Sequence, residues 1–410
     1  MMPSKGVPFK EAIEHFRRKV NIPTTAWDDM LGQPHAKGFS IAGATKMALL
    51  SDFHQALADS LTEGTTLAQF RHDFDKIVAK HGWQYKGNRG WRTRVIFDTN
   101  RKTAYAAGRW EQYQRTKQTR PYLIYQTAGD SRVREEHHQW DNVVLPIDDP
   151  FWDTHYPPND FGCRCTTRSA SESDLKRAGL TVSERPNIEM ESRISTSTGQ
   201  VYPDTPKGVG TGWDYNVGKA WLGPDNALGQ HILKLPAKDL IGVLQQNKAY
   251  LKELQRVFPV WAKTIKEGYA KGKMHPVGLL DAKVLIEVLK AGQPLKSATV
   301  FIDDWRLKRM DRPSKQAKGI SLPSWITDNI PEALLKADAV LLEQTKENRN
   351  VSTSILYIIK LDEERAAKLV VDIDYNSKTG NRGNGVSSGG VVQIKALKNE
   401  GYYKLLKGRL

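Results

Sequence analysis

Cysteine is almost missing from this chain: 410 residues contain two, Cys163 and Cys165. With one residue between them they cannot build a disulfide framework, since a bridge would close a small strained ring; a reducing compartment is expected. Long apolar runs are missing too. The longest, such as Ser354 to Ile359 (SILYII), are strand-sized and far short of the roughly 20 residues that a spanning helix needs, so no membrane contact is expected. The N-terminus lacks the apolar core of a secretion signal, and Phe9, Ile13, Phe16 and Val20 recur there at helical spacing instead. No repeat of 20 to 50 residues is visible, which excludes solenoids and propellers. Beyond residue 245 there is no cysteine and a single histidine, His275, which excludes thiol and metal chemistry from that region.

Positive charge is abundant. A formal net charge of +15 and a pI near 9.5 favour contact with polyanions, because each Lys or Arg set against a phosphate releases a counterion. The bland alternative is a solubilising surface. Basic residues concentrate at Arg306, Lys308, Arg309, Arg312, Lys315 and Lys318, and again at Lys395, Lys398, Lys404, Lys407 and Arg409.

Length allows two or three domains. Up to about residue 120 the pattern is helical: Met47, Leu50, Phe53, Leu57 and Leu61 form one stripe, and Leu67, Phe70, Phe74 and Ile77 a second, which Thr66 caps and Gly82 ends. A longer helix follows with a small-residue face, Ala104, Ala107 and Gly108. After Pro121 comes a strand (YLIYQT), then a loop-rich stretch ending in a short polar strand (CRCTTRS). Residues 186–239, rich in Ser, Thr, Gly and Pro, predict a linker that docks through occasional aromatics. From Leu240 helical spacing returns. Beyond Pro276 the runs ATVFI, AVLLEQ, SILYIIKL, KLVVDIDY and VVQI predict an α+β domain with an antiparallel sheet.

The stretch HHQWDNVVLPIDDPFWDTHYPPNDFGCRC, residues 137–165, holds both cysteines and admits three readings. Cys163 and Cys165 with two of His137, His138 and His155 make a zinc set, although C-x-C within a strand lacks the turn that wraps a metal. A nucleophilic cysteine beside His137 lacks a helix N-terminus or an oxyanion-hole glycine pattern. The default is structural, with no metal or cofactor: Pro157 and Pro158 fix the approach to the last strand, Trp140 and Trp152 fill a small core, and Asp130 and Asp141 bond loop amides.

FDTNRKTAYAAGRW, then AGDSRVREEHHQWDNVVLPIDDPFWDTHYPPNDFGCRC, then GTGWDYNVG resemble, in order and spacing, the Mu F-like head morphogenesis (minor head) proteins of tailed phages and prophages. The resemblance spans about residues 40 to 220. Its pattern positions are Arg134, His137, Pro150, Trp152, Pro157, Pro158, Cys163, Arg164 and Cys165. Asn142 stands where the family often has Gly, and Val217 where Pro is common; Asn tolerates a left-handed backbone, so the turn is expected to survive. The resemblance implies a minor capsid component near the portal, acting in head assembly and DNA packaging. Its partners would be portal and capsid proteins, and its location the host cytoplasm and then the virion head.

In the C-terminal half, the basic segment with Arg309, Arg312 and Lys315 and a Gly-rich turn (NRGNGVSSGGVVQI) are parts that would hold a phosphodiester. A solvated basic helix and an ordinary hairpin are the structural alternative. About residues 270 to 408 are similar to the phage barnase, EndoU, colicin and RelE-like nuclease domains fused behind Mu F-like proteins. That similarity carries an R-x-x-K element onto Arg312 and Lys315 and a late N-x-V-x-T/S element onto Asn384, Val386 and Ser388. Arg309 stands where many members have His, which suits either a basic-residue ribonuclease or an inactive nucleic-acid-binding remnant. The expectation is an α+β chain: a Mu F-like domain over 1–185, a linker over 186–239 and a nuclease-like domain over 240–410. Arg309, Arg312 and Lys315 would then stabilise phosphate and Ser388 position it. The alternative function is a metal-independent ribonuclease toxin carried by the particle.

Overall fold

A computed structural model describes residues 9–195, 199–219, 222–268, 274–293, 295–310, 312–344, 354–376 and 382–410. The chain divides into two compact units, Met1–Ala220 and Trp221–Leu410. Of the stretch predicted as a linker, residues up to 219 belong to the first unit, and the next helix begins at Leu222.

In the first unit the apolar stripes become helices that share one core. Helix α1 (Lys10–Arg17) buries Ala12, Ile13 and Phe16; α2 (Met47–Glu63) buries Leu50, Phe53, Leu57 and Leu61; α3 (Leu67–His81) buries Phe70, Phe74 and Ile77. Thr66 forms a capping box with Gln69, and Gly82, at φ 57°, ends α3 in the left-handed conformation. Helix α4 (Arg89–Thr116) runs 28 residues, about 42 Å. Its Gly108 lets α1 approach: a β-carbon there would fall 2.8 Å from the backbone nitrogen of Ala12. Between α1 and α2, β1 (Val20–Asn21) pairs in parallel with β2 (Gly38–Phe39).

The loop-rich stretch forms a three-stranded antiparallel sheet in the order β4 (Val144–Pro146), β3 (Tyr122–Gln126), β5 (Thr166–Ala170). Single-turn helices α5 (Glu135–His138) and α6 (Phe151–Thr154) lie between its strands, and α7 (Glu172–Ala178) follows β5. Both faces of β3 are covered. Leu123 and Tyr125 point into a core with Trp110, Trp140, Phe151, Trp152 and Tyr156, while Ile124 packs with Val144, Ala170 and Leu175. A short ribbon, β6 (Met190–Glu191) with β7 (Thr205–Pro206), then leads into residues 207–219. That segment adds Val209, Trp213, Tyr215 and Val217 to the aromatic core.

The second unit opens with α8 (Leu222–Leu233), α9 (Ala237–Gln245) and α10 (Lys248–Glu267). Its sheet contains β8 (Met274–Leu279), β9 (Thr299–Asp303), β10 (Ala339–Glu343), β11 (Ser354–Lys360), β12 (Arg365–Asn376), β13 (Arg382–Gln393) and β14 (Tyr403–Gly408). Among the described residues the strand order is β14-β10-β11-β12-β13-β9-β8. The pairings are antiparallel except β13 with β9, which runs parallel. The sheet is thus antiparallel in the main, as expected, and the parallel join is possible because β9 and β13 are separated in sequence by the whole β10–β12 meander, a crossover long enough for parallel pairing. Helix α11 (Ala282–Lys290) connects β8 to β9.

The basic segment is not one helix. Helix α12 (Asp304–Met310) and the single turn α13 (Pro313–Gln316) are separate, and Arg312, forced out of the helical region by the proline after it, sits at ψ 144°. The expected Gly-rich turn is instead strand β13, from Arg382; Asn381 lies outside the described residues. Its glycines serve close packing, since a β-carbon on Gly385 would lie 2.5 Å from the Tyr375 ring.

Candidate functional site

The C-x-C pair does not lie in a strand. Cys163 and Cys165 precede β5, in the turn that follows Gly162 at φ 73°, so the chain bends as it enters the pair. His137, on α5, is buried against them, its ring stacked on Trp140 at 5.1 Å between centroids and 23° between planes. Its Nε2–H donates to the Gly208 carbonyl at 2.8 Å. That bond places a hydrogen on Nε2 and turns Nδ1 toward the sulfurs, 3.8 Å from Cys163 Sγ and 3.5 Å from Cys165 Sγ.

The electrostatics of the three groups are coupled. The hydrogen bond from Cys165, aided by His137, pulls the Cys163 thiol down to about 4 against the opposing effect of burial. Cys165 is raised in turn by the Cys163 sulfur and by burial. Burial lowers His137, but the Cys163 sulfur and the Gly208 carbonyl outweigh it, and the imidazole ends above its ordinary value. Tyr125, on β3, is 0% exposed and lies beside Cys165; its hydroxyl has no hydrogen-bond partner of normal geometry. Burial and the two sulfurs raise it well above the usual phenol.

The remaining pattern residues hold this turn in place. Arg134 donates to the Phe161 carbonyl at 3.0 Å and pairs with Asp160 at 3.1 Å. Arg164, between the cysteines, turns outward into a two-armed pair with Asp130, one arm at 2.7 Å. Pro150 precedes α6, and Trp152 is fully buried, its Nε1–H donating to Pro146 at 3.0 Å. Pro157 and Pro158 are buried and joined by a cis bond. Asn142 takes φ 61°, the left-handed conformation expected of it. Asp141 accepts the Thr127 amide at 2.7 Å, and Asp130 that of Arg132 at 3.1 Å.

Residues 208–218 close over the module as a strap. A β-carbon on Gly208 (φ 84°) would meet Glu136 at 2.6 Å, and one on Gly218 would meet Trp110 at 2.2 Å. Asn216 donates to the Trp152 carbonyl at 3.0 Å.

The other candidate ligands go elsewhere. His138 is exposed. His155 packs flat on Phe151 at 4.4 Å, its Nδ1 engages the Thr154 hydroxyl at 2.8 Å, and burial lowers it to about 4. Among the described residues, the ligand atoms that converge are those of His137, Cys163 and Cys165, all within 4.8 Å of one another. Sequence inspection missed Tyr125 and Gly208. A tyrosine two positions from buried Leu123 on one strand face, and the alternating glycines of GVGTG, were the available signals.

In the second unit, Lys315 Nζ donates to the Gly389 carbonyl, beside exposed Ser388. Arg309 and Arg312 are exposed. Asn384 is buried and structural, donating to the Ser297 and Thr299 carbonyls at 2.7 and 3.1 Å, and Val386 is core.

Fold and site thus define a two-unit α+β chain whose N-terminal module closes a strap over a buried thiol–imidazole cluster. Residues 51–168 match the family described as Phage Mu protein F like protein. The chain is 30% identical to the "Putative capsid assembly protein F" of Escherichia phage Mu over 306 residues, covering 68% of this chain and 70% of that one. It is 27% identical to the Mu-like prophage FluMu F protein of Haemophilus influenzae over 419 residues, covering 94% and 99%. The chain belongs to the Mu F-like family. No solved structure matches it.

Proposed function

We propose that this protein is a phage or prophage head assembly component, a minor capsid protein that meets portal and capsid proteins during head morphogenesis and DNA packaging. It would work in the host cytoplasm and then in the virion head. The observation that carries this is coextension: the FluMu F protein aligns over 94% of this chain and 99% of itself, so both units have counterparts in one Mu-like prophage protein. The relative from phage Mu is named for capsid assembly. No described helix is long and apolar enough to cross a membrane. The test is deletion of the gene from its phage or prophage, with complementation by the full chain. Loss of DNA-filled heads, restored by complementation and accompanied by sedimentation of the chain with heads, supports the proposal; normal heads without the chain refute it.

A second reading gives the C-terminal unit a ribonuclease-like or nucleic-acid-binding role. Its support is the approach of Lys315 to the β13 backbone next to Ser388, with Arg309 and Arg312 exposed on the preceding segment. RNA cleavage by the full chain in EDTA, abolished by Arg312→Ala and by Ser388→Ala, would establish a metal-free nuclease. RNA binding without cleavage would leave a binding module.

A further inference from the structure

We propose that His137, Cys163 and Cys165 bind one zinc ion, with the Tyr125 hydroxyl closing the fourth side, and that the ion cross-links α5, the turn before β5 and strand β3. Four observations converge on it.

The first is spacing. Zinc–sulfur bonds near 2.3 Å and zinc–nitrogen bonds near 2.0–2.1 Å, opened to a tetrahedral angle, set sulfur and nitrogen about 3.6 Å apart. The observed separations, 3.5 and 3.8 Å, straddle that edge length. The second is orientation. A zinc-bound imidazole commonly donates its far N–H to a carbonyl, which aims the other nitrogen at the metal, and His137 does this with Gly208. The third is the Tyr125 hydroxyl, fully buried and set against the Cys165 sulfur, with no nitrogen or oxygen partner among the described residues. A buried hydroxyl that meets a sulfur alone leaves its oxygen lone pairs unused, and a bound cation would engage one of them. The fourth is donor chemistry: two thiolates with an imidazole suit zinc and exclude calcium and magnesium, which take oxygen ligands.

Competing uses of the cysteines fit less well. A Cys163–Cys165 disulfide would close a small ring and leave His137 aimed at spent sulfurs. A nucleophile needs substrate access, yet Cys163 is 2% and His137 1% exposed. Binding sheds to solvent whatever protons the two sulfurs and the imidazole Nδ1 still carry, and the two thiolates balance the charge of the ion.

The experiment uses the full chain. It is purified from zinc-supplemented cells, dialysed and analysed for metal by mass spectrometry, then exchanged with cobalt(II) and scanned for thiolate-to-cobalt charge-transfer absorption. The expected result is one zinc per chain and a tetrahedral cobalt spectrum. In Cys163→Ser and His137→Gln, zinc retention falls by more than about tenfold, since even the loss of a supporting hydrogen bond has that effect. A folded wild-type chain with less than a tenth of an equivalent of zinc and no cobalt charge transfer overturns the proposal. So does full zinc retention in the Cys163→Ser, Cys165→Ser double variant. Should the variants fail to fold, the wild-type cobalt spectrum decides alone.

Discussion

His54 shows how a single side chain sets a pH limit. It stacks on Phe39 at 4.8 Å, meets Phe16 edge-on at 4.9 Å, and its Nε2–H donates to the Phe16 carbonyl at 2.9 Å. Burial holds its pKa at about 4, against 6.5 when exposed, and half-buried His15 moves in the same direction. The unfolded chain therefore binds protons near pH 6.5 that the native chain refuses until about pH 4. Stability present above 6.5 is lost as the pH falls through that window, by roughly 3 kcal/mol for His54. A melting temperature that declines from pH 7 to 4.5, with a shallower slope in His54→Gln, is the expected outcome. Tyr125→Phe removes one oxygen from the β3 core; thermal stability should barely change while zinc retention weakens about tenfold, read by competition with a chelating dye. The cysteines and His137 were legible in the sequence as donor types. Tyr125 was not, because a tyrosine in a strand reads as packing until its hydroxyl is seen to face a cysteine sulfur.

Among the elements, the helices were the most legible and the sheet edges the least. The stripes of α2 and α3 and the Thr66 cap follow from spacing alone, and Thr66→Ala should cost about 1 kcal/mol in urea unfolding by removing the hydroxyl that accepts the Gln69 amide, while the Thr66 backbone N–H keeps its bond to the Gln69 side chain. Strands β8 and β14, which escaped prediction, are the two edges of the sheet that the described residues form. Edge strands carry residues that protect an exposed backbone: Pro276 in β8 gives up a donor no neighbour needs, and Lys404 and Lys407 make β14 read as a charge cluster. The end of β13 was read as the run VVQI, but its earlier part was hidden by glycines, which admit the Tyr375 and Leu322 side chains rather than turn the chain.

At the scale of the whole molecule, the net charge of +15 overstates what is available to a polyanion. Lys404 pairs with Glu287 on α11 at 3.3 Å, Lys407 with Asp281, which caps that helix, at 2.8 Å, and Lys308 donates to the Gly268 carbonyl. Arg309, Arg312 and Lys318 are exposed. If the C-terminal unit binds RNA, alanine at those three should weaken binding and flatten its salt dependence, whereas Lys407→Ala should change neither; fluorescence anisotropy at two ionic strengths checks this. The two-unit division was legible only in part. The composition of residues 186–239 suggests a tether, yet Tyr202, Trp213 and Tyr215 are buried, because a few aromatics can anchor a polar segment to a core built earlier in the chain.

The strap also imposes an order of events during synthesis. A ribosome releases residues 137–165, with all three donor atoms, before Gly208 has been added to the chain. Until that carbonyl arrives, the His137 imidazole has nothing to select which nitrogen it offers. The nascent module can collect its thiols early but can fix its histidine only when the strap follows. A stop codon shortly after β5 would thus yield a product with every ligand encoded and the cluster left unfinished.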